Sequence, residues 1–419
     1  MLNEAQSCLL KELELDPQLV PPAYSGGSIL NLPDSMCSWF DIPGLGSGPL
    51  EEKLTAPVRG GIRNIVLIII DAVSYQHFQR WTEGALQQAW SALRQRGNLQ
   101  PITSITPSTT CAAITSLWTG QPAVRHGISG YEMWLKDYQL TANMISHTPS
   151  SFQGMAGSLA QAGFVPENFL PVPTLGPHLL RHGIQPHVFQ HRSILRSGLS
   201  RMFLEDVNLH GISNSSDMFI SIRELLEANP GERKYITAYW GMIDGIFHHF
   251  GPEDPRALAE FSDFSGNLLE HLVDGLSTRV REDTLLVITA DHGQIGTELD
   301  PHYTLQEHPD FSRLLHMLPT GENRLAYLYV RPGKTKAVRE YVESYWPEEF
   351  QLLDAERATR AGLFGPPPIH PQWSSRVGDL VMIARENAYL WWPEVKNHLR
   401  GRHGGLSAVE MTVPLFTVR

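Results

Sequence analysis

Cysteine is scarce in this sequence, and its scarcity excludes two ways of stabilising a fold. The 419 residues include three cysteines, Cys8, Cys37 and Cys111, an odd number without regular spacing. A disulfide framework or a cysteine-based zinc site needs cysteines grouped in a recognisable pattern. The sequence therefore predicts a protein of a reducing compartment, and we expect a cytoplasmic location.

Long apolar runs and blocks of basic residues are also missing. No stretch approaches the roughly 20 apolar residues of a membrane-spanning helix, and the first residues, MLNEAQSCLLKELELD, do not have the pattern of a secretory signal. Lys and Arg number 33 against 44 Asp and Glu, which gives a net charge of -11. We therefore expect neither a membrane nor a nucleic acid as partner.

The strongest pattern that is present is the alternation of strand-like and helix-like segments. NIVLIII at 64–70 and TLLVITA at 284–290 are short apolar runs rich in β-branched residues, typical of strands covered on both faces. Helical stretches near 175–182 and 218–228 each precede a further strand. The pattern predicts an α/β fold with a doubly wound, mostly parallel sheet between helices.

The sequence also suggests three parts of different character. Pro and Gly are frequent near the N-terminus, and a second α/β pattern precedes the last strand. Within that second pattern, residues 379–384 and 389–392 look like a hairpin. We predict an N-terminal arm packed on the core (1–60), a metal-binding catalytic core (61–300 and 401–419) and a smaller inserted α/β cap subdomain (301–400).

Side chains that bind metals are concentrated just after the predicted strands. In open α/β sheets, ligands bind at the carboxyl ends of the strands, so these positions are where chemistry is expected. One by one they have ordinary alternatives, such as a helix cap or a solvated helix face. Together they indicate a metal site, and the candidate residues are Asp71, Thr110, Asp244, His248, Asp291, His292 and His403.

These seven side chains are enough for two divalent cations. One group comprises Asp71, Thr110, Asp291 and His292, and the other Asp244, His248 and His403. Carboxylate and imidazole ligands suit zinc, which we expect first, although manganese or iron accepts the same set. Two ions roughly 3.5 to 4 Å apart stabilise the attacking and leaving oxygens of a displacement at phosphorus.

A threonine at a helix N-terminus is the candidate nucleophile. A hydroxyl attacks efficiently only when it is deprotonated or held by a metal, and the positive end of a helix dipole favours the alkoxide. The segment PSTTCAAITSLWTG offers Thr109 and Thr110 at such a position. Attack by Thr110 on phosphorus would form a phosphothreonine, which water would then hydrolyse.

Five segments of the sequence resemble the type I phosphodiesterase/nucleotide pyrophosphatase family of the alkaline phosphatase superfamily. They are IVLIIIDAVS, TPSTTCAAITSLWTGQPAVRHGI, DGIFHHFGP, ADHGQ and HGGLSAVEMTVPLF. The resemblance implies an alkaline-phosphatase-like fold, Thr110 rather than Thr109 as nucleophile, and hydrolysis of phosphodiester or pyrophosphate bonds. It also implies a small phosphorylated substrate, with a nucleotide as one candidate. One departure matters: the resemblance implies that nucleotide-cleaving members have a phosphoryl-contacting Asn three residues after the nucleophile, where this chain has Ala113.

Other functions share this fold and these ligand types. A phosphomonoesterase or a phosphonate-cleaving hydrolase of the same superfamily is the nearest alternative, because specificity resides in loops rather than in the fold. From another class, a phosphotransferase would pass the phosphoryl group to an alcohol, and a catalytically silent sensor would bind a phosphorylated ligand without turning it over.

Overall fold

The computed structural model describes residues 3–55, 61–151 and 154–419, in which helices and strands alternate along most of the chain. The strands are β1 (Asn64–Ile70), β2 (Asn98–Thr103), β3 (Glu132–Leu135), β4 (Leu140–Asn143), β5 (Thr148–Pro149), β6 (Ile184–His191), β7 (Asn208–Ile212), β8 (Arg233–Trp240), β9 (Thr284–Thr289), β10 (Ile295–Gly296), β11 (Thr320–Glu322), β12 (Leu325–Leu328), β13 (Phe350–Asp354), β14 (Leu380–Ala384), β15 (Gly401–Arg402) and β16 (Thr412–Val418). The α-helices are α1 (Glu4–Glu12), α2 (Leu32–Trp39), α3 (Glu52–Thr55), α4 (Tyr75–Glu83), α5 (Gln87–Arg96), α6 (Thr110–Thr119), α7 (Ala123–His126), α8 (Leu175–Arg181), α9 (Gly198–Phe203), α10 (Ser215–Ala228), α11 (Met242–Phe250), α12 (Pro255–Asn267), α13 (Thr278–Glu282), α14 (Pro309–Ser312), α15 (Thr335–Tyr345), α16 (Ala355–Arg360), α17 (Trp373–Val377) and α18 (Ala408–Met411).

A seven-stranded sheet in the order β2-β16-β9-β1-β8-β6-β7 forms the centre of the protein. The five strands from β9 to β7 are parallel, and β16 runs antiparallel to both of its neighbours. All seven residues of β1 are buried, as expected of a central strand covered on both faces. The predicted doubly wound, mostly parallel sheet is confirmed.

Helices cover both faces of this sheet, as the contacts of two aromatic side chains of β8 show. Its Tyr235 packs on Trp118 of α6, with ring centroids 6.0 Å apart. Trp240 is five residues further along, so its side chain points to the opposite face. There it packs on Phe264 of α12, with centroids 5.8 Å apart. These aromatic contacts hold α6 and α12 on opposite faces of the sheet. The candidate site lies elsewhere, at the carboxyl ends of the strands.

A second seven-stranded sheet, in the order β13-β14-β12-β11-β3-β4-β5, forms the smaller lobe. It includes the cap range predicted from sequence, and also β3 to β5, which lie in the range assigned to the core. The link is the pairing of Glu132 with Gly321, where Gly130 also closely approaches Gly321. A pairing between strands so far apart in sequence depends on tertiary contacts that no local pattern encodes.

The predicted hairpin in the smaller lobe is wrong. Strand β14 pairs with β12 and β13, and residues 389–392 do not join it as a strand. Their apolar side chains pack into the core of the lobe instead, since Tyr389, Leu390 and Trp392 are all buried. Burial of these aromatic side chains therefore gave the segment its strand-like pattern.

The N-terminal residues 3–55 lie against the central sheet. The Val20 amide donates to the Leu406 carbonyl at 2.8 Å, and the Thr103 amide donates to the Gly27 carbonyl at 2.8 Å. Within the described ranges no helix combines the length and the apolar character that crossing a bilayer requires.

Candidate active site

The candidate site lies at the carboxyl end of the central sheet, where β9, β1 and β8 are neighbours. Asp71 follows β1 directly, Asp291 and His292 follow β9, and Asp244 lies in the first turn of α11 just after β8. Parallel neighbours end at the same edge, so the three strand ends bring these side chains together. Ala72, next to Asp71, has a φ of 65°, a left-handed conformation that turns the chain sharply after the strand.

The first cluster consists of Asp71, Asp291 and His292, and all three side chains are buried. His292 Nε2 lies 3.5 Å from Asp71 Oδ1 and 3.6 Å from Asp291 Oδ2. The same nitrogen lies 3.1 Å from Thr110 Oγ1, so the hydroxyl belongs to this cluster. The second oxygen of the Asp291 carboxylate, Oδ1, accepts a hydrogen bond from the His292 amide at 3.1 Å.

The second cluster consists of Asp244, His248 and His403 and is partly exposed. His248 Nε2 lies 3.3 Å from Asp244 Oδ1, and His403 Nε2 lies 4.0 Å from the same oxygen. Asp244 and His248 are four residues apart on α11 and therefore share a helix face. The nearby His248 and His403 imidazoles outweigh the effect of burial and lower the pKa of Asp244.

The two clusters adjoin one another. The rings of His292 and His403 are stacked with centroids 3.9 Å apart. All seven side chains predicted from sequence are thus in one place, in the two groups that were predicted.

The negative charge of Asp71 is not balanced by neighbouring protein groups. Burial, followed by the charges of Asp291 and Asp244, raises the pKa of Asp71 well above its usual range. Three carboxylate oxygens, Asp71 Oδ1, Asp244 Oδ1 and Asp291 Oδ2, are buried and have no hydrogen-bond partner among the described residues. Buried polar oxygens without partners are unfavourable, and divalent cations are the partners that this mixture of oxygen and nitrogen donors fits.

Thr110 is the first residue of α6, and the N-terminus of this helix is open. Thr109 occupies the capping position but its side chain does not cap the helix. Its hydroxyl instead interacts with the carboxylate of Glu322. The first amides of a helix have no acceptor within the helix, so those of α6 are available to an anion beside Thr110.

A family model described as type I phosphodiesterase / nucleotide pyrophosphatase matches residues 65–406. This chain belongs to that family. This membership agrees with the resemblance noted in the sequence. A curated relative, human ectonucleotide pyrophosphatase/phosphodiesterase family member 5, is 25% identical over 179 residues, which are 42% of this chain and 35% of that protein. The match thus spans about a third of the length of that relative.

Solved structures show the same fold. Murine ectonucleotide pyrophosphatase/phosphodiesterase 5 superposes with a TM-score of 0.63 at 17% identity, covering 84% of this chain and 87% of that one. An inactive variant of the murine protein in complex with AMP gives a TM-score of 0.61 at 16% identity, with the same coverage. Phosphonoacetate hydrolase from Sinorhizobium meliloti 1021, in complex with phosphonoformate, gives 0.59 at 19% identity, covering 86% of this chain and 91% of that one.

Three polar residues of this phosphodiesterase family member contact the site but were not predicted from sequence. The Tyr239 hydroxyl donates to Asp71 Oδ2, and Gln294 Nε2 lies 2.8 Å from His248 Nδ1. Burial raises the pKa of Glu322 to about 7, although contacts with Thr109 and the Tyr131 amide oppose the shift. Tyr239 and Gln294 lie near strand ends and could have been found there. Glu322 ends β11, but that strand belongs to the second sheet, so its approach to the site depends on how the two sheets pack.

Position 113, where the family resemblance bears on substrate choice, lies inside α6. Ala113 is fully buried in α6, whereas Thr110 and Ile114 of the same helix line the cleft beside the site. What Ala113 implies for substrate choice stays a prediction.

Proposed function

We propose that this protein hydrolyses phosphodiester or pyrophosphate bonds, with Thr110 as nucleophile and two divalent cations, zinc first, as cofactors. The observation that carries the proposal is the pairing of the two ligand clusters around the Thr110 hydroxyl, which lies 3.1 Å from His292 Nε2. Asp71, Thr110, Asp291 and His292 would hold one cation. Asp244, His248 and His403 would hold the other.

Bound at these residues, the two cations would supply electrostatic stabilisation of the attacking and leaving oxygens during displacement at phosphorus. The buried Asp71 and Asp291 oxygens that have no hydrogen-bond partner support this assignment, because a cation would provide the partner that they lack. The net charge of -11 supports it as well, since an anionic substrate needs local positive charge.

Neighbouring polar groups hold the imidazole ligands in fixed orientations. His248 Nδ1 lies 2.9 Å from the Gly401 carbonyl, and His403 Nδ1 lies 3.2 Å from the Ser108 carbonyl. At His403, donation from Nδ1 to the carbonyl leaves Nε2 as a lone-pair donor, which is the tautomer required of a metal ligand. The Nε2 atoms of both residues lie near Asp244 Oδ1.

The chain itself performs two further tasks in the proposed reaction. Thr110 Oγ1 gives its proton to water and bonds to phosphorus, while one ester or anhydride oxygen leaves with its electron pair; the product is a phosphothreonine that still carries the other substituent of the substrate. The open N-terminus of α6 donates backbone hydrogen bonds to the phosphoryl oxygens as their charge changes. Water then cleaves the phosphothreonine and restores the hydroxyl.

A second candidate is the cleavage of phosphonates. It is favoured by the similarity of fold to phosphonoacetate hydrolase, which covers 86% of this chain. The two candidates share the clusters and differ in the bond that is broken. Nucleotide substrates are proposed on family membership and on the murine relative solved with AMP.

A substrate panel with metal analysis tests the proposal. The metal-free protein is reconstituted with zinc, manganese or iron and assayed on bis-p-nitrophenyl phosphate, p-nitrophenyl phosphate, p-nitrophenyl sulfate, a dinucleotide anhydride and phosphonoacetate. We expect zinc-dependent turnover of the diester or the anhydride. A large preference for the monoester or for phosphonoacetate would overturn the proposed bond specificity. Transfer to added alcohols instead of water would identify a phosphotransferase, and binding without turnover a sensor.

The nucleophile is tested with a matched pair of variants. Thr110→Ala removes the hydroxyl, and we expect activity to fall by about a thousandfold or more while most of the bound metal is retained. Thr110→Ser retains a hydroxyl and should keep much more activity and yield a phosphorylated residue 110 after acid quenching. Near-normal activity of Thr110→Ala would identify another attacking group.

A further inference from the structure

A cleft of about 1010 Å³ opens beside the two clusters. Asp71, Thr110 and Asp244 line one end of it, and the rest follows the carboxyl ends of β6, β7 and β8. Small-molecule sites typically measure about 300 to 1,000 Å³. The cleft therefore has room for the organic group of a substrate whose phosphoryl group is held at the clusters.

The charged lining of this cleft is acidic. Beyond the two clusters, Glu260, Asp263 and Glu270 line it, from α12 and from the helical turn Leu268–Val273 that extends α12. No Lys or Arg is among the described residues of the lining. Glu260 is oriented by Trp240, whose Nε1 donates to its carboxylate at 2.9 Å.

One feature of the lining could have attracted an anion, namely the N-terminus of α10. Its capping residue Asn214 accepts a hydrogen bond from the Asp217 amide at 2.8 Å. The carboxylate of Asp217 in turn accepts from the Ser213 amide at 2.8 Å. The positive end of this helix is therefore already matched by a carboxylate of its own first turn.

The remaining lining is partly apolar and partly hydroxylated. Ile114, Trp118 and Phe203 contribute apolar surface, while Ser193 and Ser213 contribute hydroxyl groups. Such a lining can contact carbon atoms and form hydrogen bonds with neutral polar groups. Its basic side chain among the described lining residues is His191, and the nearby Arg192 guanidinium donates to the Ser213 hydroxyl.

We infer that the cleft receives the organic group of a phosphodiester that has no negative charge apart from its phosphoryl group. This inference rests on the proposed function and deepens it. A polyphosphate or a phosphorylated alcohol would bring further negative charge next to Glu260, Asp263 and Glu270, where like charges repel. The same chemistry favours uncharged or cationic organic groups, and it favours diesters over nucleoside polyphosphates.

A series of symmetric phosphodiesters tests the inference. Bis(2-ammonioethyl), bis(2-hydroxyethyl) and bis(2-carboxyethyl) phosphate are compared as competitive inhibitors of the hydrolysis of bis-p-nitrophenyl phosphate by the zinc-loaded protein. They differ only in the charge of the arms, and either arm can enter the cleft. We expect the inhibition constant of the carboxyethyl diester to exceed that of the hydroxyethyl diester by about tenfold. The ammonioethyl diester should bind at least as tightly as the hydroxyethyl one.

A charge-reversed variant tests whether the acidic residues of the cleft cause this order of inhibition constants. Asp263 and Glu270 are exposed, so Asp263→Lys combined with Glu270→Lys should fold normally and reduce the penalty on the carboxyethyl diester by about threefold to tenfold. Asp274→Lys, an exposed substitution outside the cleft, is the control and should leave the order unchanged. Equal inhibition by all three diesters, or no response to the double substitution, overturns the inference. Failure to hydrolyse either bis-p-nitrophenyl phosphate or the dinucleotide anhydride would instead refute the proposed function.

Discussion

A buried ion pair between the two lobes allows a demanding test of which contacts keep the candidate metal ligands in place. Arg324, at the start of β12 in the smaller lobe, donates from Nε and Nη2 to the Glu410 carboxylate at 2.8 and 2.9 Å. Both side chains are fully buried. Glu410 also accepts the amides of Gly405 and Ser407, at 2.8 and 3.2 Å, in the turn that follows His403. The pair therefore links the smaller lobe to the loop that supplies a candidate metal ligand.

The expected cost of disrupting this pair follows from its burial. Glu410→Gln leaves the Arg324 guanidinium charged and without its counterion in the protein interior. Removing one partner of a buried pair typically costs about 3 to 5 kcal/mol, a large share of the roughly 5 to 15 kcal/mol that stabilises a folded domain. We also expect weaker retention of the second cation, because the turn carrying His403 loses an acceptor.

Urea unfolding, with metal content measured in parallel, checks this prediction. The matched control is Asp310→Asn, which breaks the exposed pair with Arg313, whose two side chains are each 77% exposed. That change should cost less than about 1 kcal/mol. If Glu410→Gln were within about 1 kcal/mol of the wild type and kept two ions, the ion pair would not hold the site together.

Three further predictions address the ligands, their neighbours and the pH dependence of stability. Asp291→Asn should lower the zinc content of the dialysed protein from two ions towards one per chain, and unchanged stoichiometry would contradict the grouping of the ligands. Tyr239→Phe removes the hydroxyl that donates to Asp71 and should lower kcat about tenfold or more without changing the circular dichroism spectrum; a wild-type kcat would show that this contact is dispensable. Burial lowers the pKa of His126 from 6.5 to about 3, so the unfolded chain binds the proton first and the free energy of unfolding should fall as pH drops from 6.5 towards 3. The contribution of His126 to the pH dependence is at most about 1.4 kcal/mol per pH unit. We expect His126→Gln to lose this contribution when the free energies of unfolding in urea are compared at pH 7.5 and 5.5. The same pH dependence in the variant and the wild type would contradict the role of His126.

The fold was predictable where the local pattern was strong. NIVLIII and TLLVITA form β1 and β9 because β-branched apolar runs suit a strand that is buried on both faces. Residues 379–384 form β14, but the predicted hairpin partner does not, because aromatic side chains that pack in a core mimic a strand pattern. Strands β3 to β5 were not predicted, since their place in the second sheet depends on the distant contact with Gly321.

The sequence by itself determined which residues could form the site. Polar side chains directly after buried strands have few structural roles, so Asp71, Asp291 and His292 could be recognised without coordinates. Tertiary structure alone decided what surrounds them: the stacking of His292 on His403, the approach of Glu322 from the other sheet and the acidic lining of the cleft. The physical reason is that strand formation follows from neighbouring residues, whereas distances and charges between remote segments depend on how the whole chain packs.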